Sequence, residues 1–194
     1  MKHLGNTDDV RTAMRVATEE AKRHKQDFVR TGHLLLGLLR QDCPVWATLM
    51  LIGIDPAVIL EAERVALEEA NSYENPVDYP KLAPWFKMIF DNANREALDL
   101  GAEYVSPDHL LLGLLKEEAP ASRLLKTHGV TLEAVRKAVA ARMLTATRRI
   151  KDDMYIVDVA AGADIEAVLA AVRSLASKVA ISSVIVMGDK TAKA

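Results

Sequence analysis

The sequence predicts a mainly α-helical protein in which one helical unit occurs twice, followed by a small β-α-β appendage. The heptapeptide at His33–Leu39 (HLLLGLL) returns unchanged at His109–Leu115, an offset of 109 − 33 = 76 residues. Apolar residues recur at helical spacing over most of the chain. Half of the residues are hydrophobic but only 5% are aromatic, so aliphatic side chains and alanine must form the core. These observations predict a pseudo-symmetric bundle of about eight helices.

The duplication extends well beyond the heptapeptide, because the offset continues without a gap in both directions. The matched pairs are Ala17 and Ala93, Glu20 and Glu96, Ala21 and Ala97, Phe28 and Tyr104, Pro44 and Pro120, and Gly53 and Gly129. We place repeat one at about 7–70 and repeat two at about 82–144. An internal repeat of this length predicts two equivalent surfaces related by approximate symmetry.

Four helices are predicted in repeat one. The first carries an apolar stripe, and the second is apolar almost all round, so neighbours should cover it on every side. Thr31 is the predicted cap of this second helix. Pro44 begins the third helix and Gly53, in a left-handed conformation, ends it. Asp55-Pro56 supplies the cap and the first-turn proline of the fourth helix.

Repeat two follows the same order after the segment Asn71–Pro80, whose two prolines and few aliphatic residues are typical of a linker. Ser106-Pro107 is predicted to cap the second leucine-rich helix. Pro120 then begins the third helix, which Gly129 ends. Thr131 is the predicted cap of the last helix, which extends to about Leu144.

The remaining segment, 149–194, has a different pattern. Met154–Ala160 and Ile181–Met187 are rich in β-branched residues, and Ile165–Ala176 between them has helical periodicity. Such a β-α-β unit is too small to be stable alone. It should either pack on the helical domain, which we place at 1–148, or pair with a second copy. We therefore predict a docking element or a homodimer through this tail.

Composition and motifs exclude several classes of function. The net charge is −2, from 25 basic and 27 acidic residues, and no basic stripe with interleaved aromatics indicates a nucleic-acid partner. The lone Cys43 excludes an internal disulfide. The N-terminus lacks a signal-peptide core, and no apolar run has the length of a membrane span. We expect a cytoplasmic protein with no membrane association. Gly188–Thr191 lacks the pattern of a phosphate-binding loop, and we expect no cofactor.

Three features occur in both repeats: A-x-x-E-A in the opening helix, an aromatic residue and valine followed by HLLLGLL, and glycine with valine or isoleucine before the closing helix. In these features the segment from Thr7 to about Leu144 resembles the Clp N-terminal domain, which begins ClpA- and ClpC-type unfoldases. The resemblance implies an all-helical fold. In unfoldases this domain precedes ATPase modules, but the sequence has no G-x-x-x-x-G-K-[ST] phosphate-binding loop. We therefore expect no AAA module and a stand-alone protein similar to small Clp accessory subunits.

Two histidines, His33 and His109, occupy the first turn of the buried helices. No Cys, Asp or Glu at ligand spacing accompanies either, so a local hydrogen bond explains them better than a metal site. A hydrolase built on Asp108 and His109 is also disfavoured, because adjacent helical residues point about 100° apart. We expect no catalytic residue and no metal ligand.

The resemblance also indicates a carboxylate before each histidine. ClpC-type domains have Thr-Glu-His there, and that glutamate contributes to recognition of phosphorylated arginine, which a carboxylate grips through paired hydrogen bonds. Here the first position is Gly32, which has lost the carboxylate, and the second is Asp108. Asp108 is thus a candidate peptide-binding residue, although an acid there also favours the helix dipole.

The family's peptide-binding surface lies near the starts of the opening helices, which makes Lys81, Leu82, Trp85 and Phe86 our candidate partner-binding residues. Core packing is the alternative for the aromatic pair. We expect a non-catalytic adaptor, accessory or regulatory subunit that binds a Clp ATPase, a Clp protease subunit or substrate proteins. The alternative is a free-standing binding protein for modified, phosphoarginine-like peptides that engages no unfoldase.

Overall fold

The computed structural model describes residues 3–40, 42–69, 79–151, 154–159 and 183–188. The chain forms two compact units, Met1–Arg136 and Lys137–Ala194, and each is described by itself. Most of the predicted linker between the repeats lies outside the described residues. The predicted tail helix, 165–176, lies entirely outside them.

The described residues contain eight α-helices, which confirms the prediction of a mainly helical fold with four helices per repeat. In repeat one the elements are β1 (Gly5–Asn6), α1 (Asp8–Arg23), β2 (Phe28–Val29), α2 (Thr31–Leu38), α3 (Pro44–Leu51) and α4 (Pro56–Glu69). In repeat two they are β3 (Lys81–Leu82), α5 (Trp85–Asp99), β4 (Tyr104–Val105), α6 (Pro107–Leu115), α7 (Pro120–Thr127) and α8 (Leu132–Leu144).

Most of the predicted helix ends are found where the sequence places them. The Asp55 side chain accepts a hydrogen bond from Ala57 N over 2.9 Å before α4, and Thr131 Oγ1 accepts from Ala134 N over 3.2 Å before α8. Thr31 was predicted as a cap and is instead the first residue of α2. The preceding Arg30 is the N-cap residue. The side chain that closes this turn is that of His33, a residue of α2 itself.

Helices α2 and α6 form the centre of the first unit, and every residue of both is buried, as predicted from their leucine content. In each repeat, a glycine in the central helix allows the opening helix to pack closely against it. A Cβ atom at Gly37 would collide with the carbonyl oxygen of Ala13 on α1, and one at Gly113 would collide with that of Ile89 on α5. No single described helix is long and apolar enough to cross a membrane; the bent pair formed by α3 and α4 meets the criteria by length and composition only.

Two short parallel ladders connect the repeats in a crossed arrangement. Strand β1 of repeat one pairs with β4 of repeat two, and β2 of repeat one pairs with β3 of repeat two. The 76-residue offset converts one ladder into the other. The backbone bond from Thr7 N to Val105 O, 3.0 Å long, accordingly has its counterpart from Ala83 N to Val29 O, also 3.0 Å. The pseudo-symmetry therefore extends to individual hydrogen bonds.

The second unit contains three strands among its described residues: β5 (Thr145–Lys151), β6 (Met154–Val159) and β7 (Ser183–Gly188). Strand β6 pairs antiparallel with β5 and parallel with β7. The sequence analysis did not anticipate β5, because its residues continue the helical pattern of α8 without a turn residue. With its helix outside the described residues, the β-α-β unit stays a prediction.

Candidate protein-interaction site

The equivalent histidines of the two repeats, His33 and His109, each close the first turn of a central helix. The Nδ1 atom of His33 accepts a hydrogen bond from Arg30 N, and that of His109 accepts one from Ser106 N, each over 3.0 Å. Burial lowers the pKa of His33 to about 4, with smaller effects of the nearby charges of His24 and Arg30, and burial also lowers that of His109. Both imidazoles are therefore neutral parts of the scaffold. Among the described residues, no group of three potential ligands is arranged to hold a metal ion.

The position that lacks its carboxylate, Gly32, lies against a carboxyl group from another helix. A Cβ atom at Gly32 would collide with Oε1 of Glu63 on α4. Glu63 is only 5% exposed, and burial raises its pKa to about 7. The sequence analysis missed Glu63, although a signal exists: it lies at i+4 from Ile59 and four residues before Leu67 on the buried face of α4.

Asp108 is the retained carboxylate of repeat two, and it lies inside the domain. Its side chain is 6% exposed, and its Oδ1 atom accepts a hydrogen bond from Thr48 Oγ1 on α3 over 2.7 Å. The two positions before the histidines thus differ in their surroundings as well as in their residues. The phosphoarginine hypothesis for Asp108 therefore concerns a buried carboxylate that already accepts a hydrogen bond from within the domain.

The four candidate residues at the start of repeat two divide into a surface group and a core residue. Lys81 and Leu82 form β3 and are exposed, Leu82 to 51%. Trp85 is the first residue of α5 and is 37% exposed. Phe86 is 2% exposed, so the prediction that it contacts a partner is corrected: it packs in the core. Met88, one turn after Trp85 and 44% exposed, was not predicted.

Strand β2 extends this exposed group. Phe28, itself partly exposed, is the register partner of Lys81, and Lys81 N donates a hydrogen bond to Asp27 O over 2.9 Å. Paired residues of neighbouring strands project to the same face of a ladder. Leu82, the next residue of β3, points to the opposite face of the ladder and is also exposed. We define the β3–α5 surface as the exposed residues around this strand and the start of α5: Phe28, Lys81, Leu82, Trp85 and Met88.

The duplication provides an internal comparison for this surface. Subtracting 76 from Leu82, Trp85 and Met88 gives Asn6, Asp9 and Thr12. These three residues are polar, and they occupy the same places relative to β1 and α1 as the apolar residues do relative to β3 and α5. The fold therefore accepts polar side chains at these positions. The exposed apolar residues of repeat two are not a requirement of the scaffold.

Cys43 does not contribute a reactive thiol to this region. It is buried, and burial raises the pKa of its thiol to about 11. The thiolate is the reactive form of cysteine. Its side chain accordingly serves the packing before α3.

Comparison with known proteins places these features in a family. The family model of the Clp repeat (R) N-terminal domain matches residues 6–128. The chain belongs to this family. It is 30% identical over 135 residues to the negative regulator of genetic competence ClpC/MecB of Bacillus subtilis, covering 69% of this chain and 16% of that protein. It is 27% identical over 139 residues to the chaperone protein ClpB of Mycobacterium tuberculosis, covering 71% of this chain and 16% of that protein.

Solved N-domains of Clp proteins have the same fold. The N-terminal domain of ClpD from Arabidopsis thaliana superimposes with a TM-score of 0.54 at 28% identity, covering 71% of this chain and 96% of that domain. A complex of the ClpV N-domain with a VipB peptide superimposes with a TM-score of 0.56 at 18% identity, covering 70% of this chain and 84% of the ClpV chain. This Clp N-domain chain spans about one sixth of the length of the curated relatives named above.

Proposed function

We propose that this Clp N-domain chain is a non-catalytic protein-interaction module that acts as an adaptor, accessory or regulatory subunit of a Clp chaperone-protease system. Its partners are a Clp ATPase, a Clp protease subunit or substrate proteins. The observation that supports the proposal is the β3–α5 surface, where Leu82, Trp85 and Met88 are exposed although the fold accepts polar residues there. Exposed apolar groups that the scaffold does not require are a sign of binding.

The relatives support a binding function for this type of domain. The ClpV N-domain, which has the same fold, was solved in complex with a VipB peptide. The ATPase and chaperone activities that the names of longer relatives imply concern proteins of which this chain matches 16%. We therefore assign to this chain binding alone.

The scaffold is suited to binding without rearrangement. Trp85 begins a helix whose buried face packs into the core through Phe86 and Ile89, and β3 is held by backbone hydrogen bonds to β2. A side chain that is already ordered loses little conformational entropy when a partner covers it, and large aromatic residues contribute disproportionately to binding energy. Trp85 is accordingly the expected centre of the interface.

The duplication also indicates which substitutions can test the proposal. Replacing Leu82→Asn, Trp85→Asp and Met88→Thr gives repeat two the residues that repeat one already carries at equivalent positions, so the variant should fold. The intact chain and this variant are used as bait for the Clp ATPase and protease subunits of the source cell, which are identified by mass spectrometry. We expect the intact chain to retain a Clp subunit and the variant to lose it by at least about tenfold.

The matched control is Val58→Thr with Val65→Thr, two exposed apolar residues on α4. This control should retain the partner as well as the intact chain does. Retention of no Clp subunit by the intact chain, with recovery of assorted client proteins, would contradict the adaptor proposal.

A further inference from the structure

The two pseudo-equivalent surfaces of the domain carry opposite charge. Residues 79–88, at the start of repeat two, contain two lysines and no acid, a net charge of +2. Their counterparts, residues 3–12, contain one arginine and two aspartates, a net charge of −1 with histidine neutral. Arg30, which is exposed after β2, has Ser106 as its counterpart. The starts of the two repeats therefore differ in charge as well as in the exposure of apolar side chains.

Three cations at or beside the β3–α5 surface, Arg30, Lys81 and Lys87, lack an ion-pair partner among the described residues, as Arg64 and Arg95 elsewhere in the domain also do. Other exposed basic side chains pair with a nearby acid, as Arg11 does with Asp8 and Lys126 with Glu118. Their charges are therefore available to a partner from outside.

From this charge pattern we infer that the β3–α5 surface binds an acidic peptide segment of a partner protein, one that presents an aromatic or aliphatic side chain to Trp85 and Leu82 with aspartate or glutamate on either side. The inference rests on the proposed function and specifies the chemistry of the partner. Apolar contacts at the centre of such an interface supply affinity. Basic groups at its rim select an acidic partner and accelerate the encounter.

Binding to an acidic peptide accounts for both features of the surface. A partner chosen by apolar contact alone gives no role to the net charge of +2 on residues 79–88. A partner chosen by charge alone, such as a nucleic-acid backbone, gives no role to the exposed aliphatic residues Leu82 and Met88. The acidic surface of repeat one, where Asp8 and Asp9 begin α1 and Tyr104 is exposed, has similar chemistry and makes a second copy of the chain a competing occupant.

The experiment measures binding of labelled synthetic peptides to the intact chain by fluorescence anisotropy. In the first peptide, acidic residues (glutamate or aspartate) alternate with apolar residues (leucine or phenylalanine). The second has lysine in place of every acid, and the third has alanine in place of every apolar residue. We expect the first peptide to bind at least about tenfold more tightly than the other two, and raising the salt concentration to several times physiological to weaken its binding.

Variants then assign the binding to the surface. Lys81→Glu with Lys87→Glu should weaken the acidic peptide about tenfold or more, because two attractions become repulsions. Arg64→Glu with Arg95→Glu, two other exposed cations, is the matched control and should leave binding within about twofold. Equal binding of the acidic and basic peptides, or equal loss with the control variant, overturns the inference.

Three further outcomes distinguish the rivals. If the intact chain retains a Clp subunit through Leu82, Trp85 and Met88 but the charge variant does so equally well, the inference fails while the proposed function stands. Tighter binding of a single-stranded oligonucleotide than of the acidic peptide overturns the inference. Sedimentation as a dimer that Lys81→Glu with Lys87→Glu converts to a monomer assigns the surface to a second copy and overturns it as well.

Discussion

The hydroxyl of Thr48 on α3 donates a hydrogen bond to the carboxylate of Asp108 on α6, 2.7 Å away, and so joins the third helix of one repeat to the second helix of the other. Both side chains are buried. The counterparts of these residues are Leu124 and Gly32, which form no such bond. The two halves of the domain have thus diverged at the contact between them.

Thr48→Val should destabilise the domain by about 1–3 kcal/mol, because it removes a donor from a buried carboxylate while keeping the shape of the side chain. Chemical denaturation followed by circular dichroism measures the change. Thr12→Val, at an exposed site where the hydroxyl bonds to a backbone carbonyl of its own helix, is the control. Equal midpoints for the Thr48 variant and the wild type would show that the bond contributes nothing.

Gly113→Ala should also destabilise the domain, by about 1–3 kcal/mol, although alanine ordinarily favours a helix interior over glycine. The added Cβ would collide with the carbonyl oxygen of Ile89 and force α5 away from α6. Gly37→Ala should behave in the same way through Ala13. The measurement is the thermal midpoint, and an increase in either variant contradicts the packing described for these helices.

Glu63 should make the domain less stable as the pH rises. Its pKa is about 7 in the folded state against 4.5 ordinarily, so between these values the folded state binds more protons than the unfolded state, and stability falls with rising pH. Glu63→Gln removes this penalty and should stabilise the domain by up to about 3 kcal/mol near pH 8, and by little below about pH 4.5.

The comparison of Glu63→Gln with the wild type isolates this effect from that of His33. The pKa of His33 is lowered to about 4 from 6.5, so its contribution to stability is lost as the pH falls through that interval. Glu61→Gln, on the exposed face of α4, is the control and should leave the pH dependence unchanged. A constant difference between Glu63→Gln and wild type at all pH values would disprove the assignment.

Lys25 and Gly101 make a reciprocal pair for a fourth prediction. Both occupy the same position after the opening helix, and both have positive φ, 52° and 72°. A side chain is strained there and glycine is not. Lys25→Gly should stabilise the domain by about 0.5–1 kcal/mol, whereas Gly101→Lys should destabilise it by a similar amount. Urea denaturation tests both, and changes of the same sign would exclude this explanation.

The sequence was sufficient for the helices because their signals are local. Prolines at Pro44 and Pro120, glycines at Gly53 and Gly129, and a repeated leucine pattern determine where helices begin, end and face, and an exact offset allowed each repeat to check the other. Thr31 shows the limit: a threonine before a leucine-rich run resembles a cap, yet the His33 ring closes that turn instead.

Contacts between distant segments were not predictable in the same way. Glu96 is paired with Lys116 and with Arg136, 40 residues further along the chain, and no spacing rule connects them. The position of Glu63 against Gly32 likewise depends on how α4 packs on α2. For the candidate site, the sequence identified Lys81, Leu82 and Trp85 as a group. Neighbouring helical residues face different directions, so only one of Trp85 and Phe86 can face the core, and the sequence did not show that it is Phe86.

The crossed pairing of β1 with β4 and of β2 with β3 has a consequence for the origin of the domain. Each repeat supplies one strand to each ladder, and the 76-residue offset exchanges the two ladders. Two separate copies of a single repeat would therefore satisfy both of these ladders. The present chain is then the covalent equivalent of a strand-exchanged homodimer. Because the two halves are joined by a peptide connection, their association does not depend on the protein concentration. Once joined, the halves were free of the symmetry that a homodimer enforces. In the present chain the start of repeat two is basic with exposed apolar residues, and the start of repeat one is acidic.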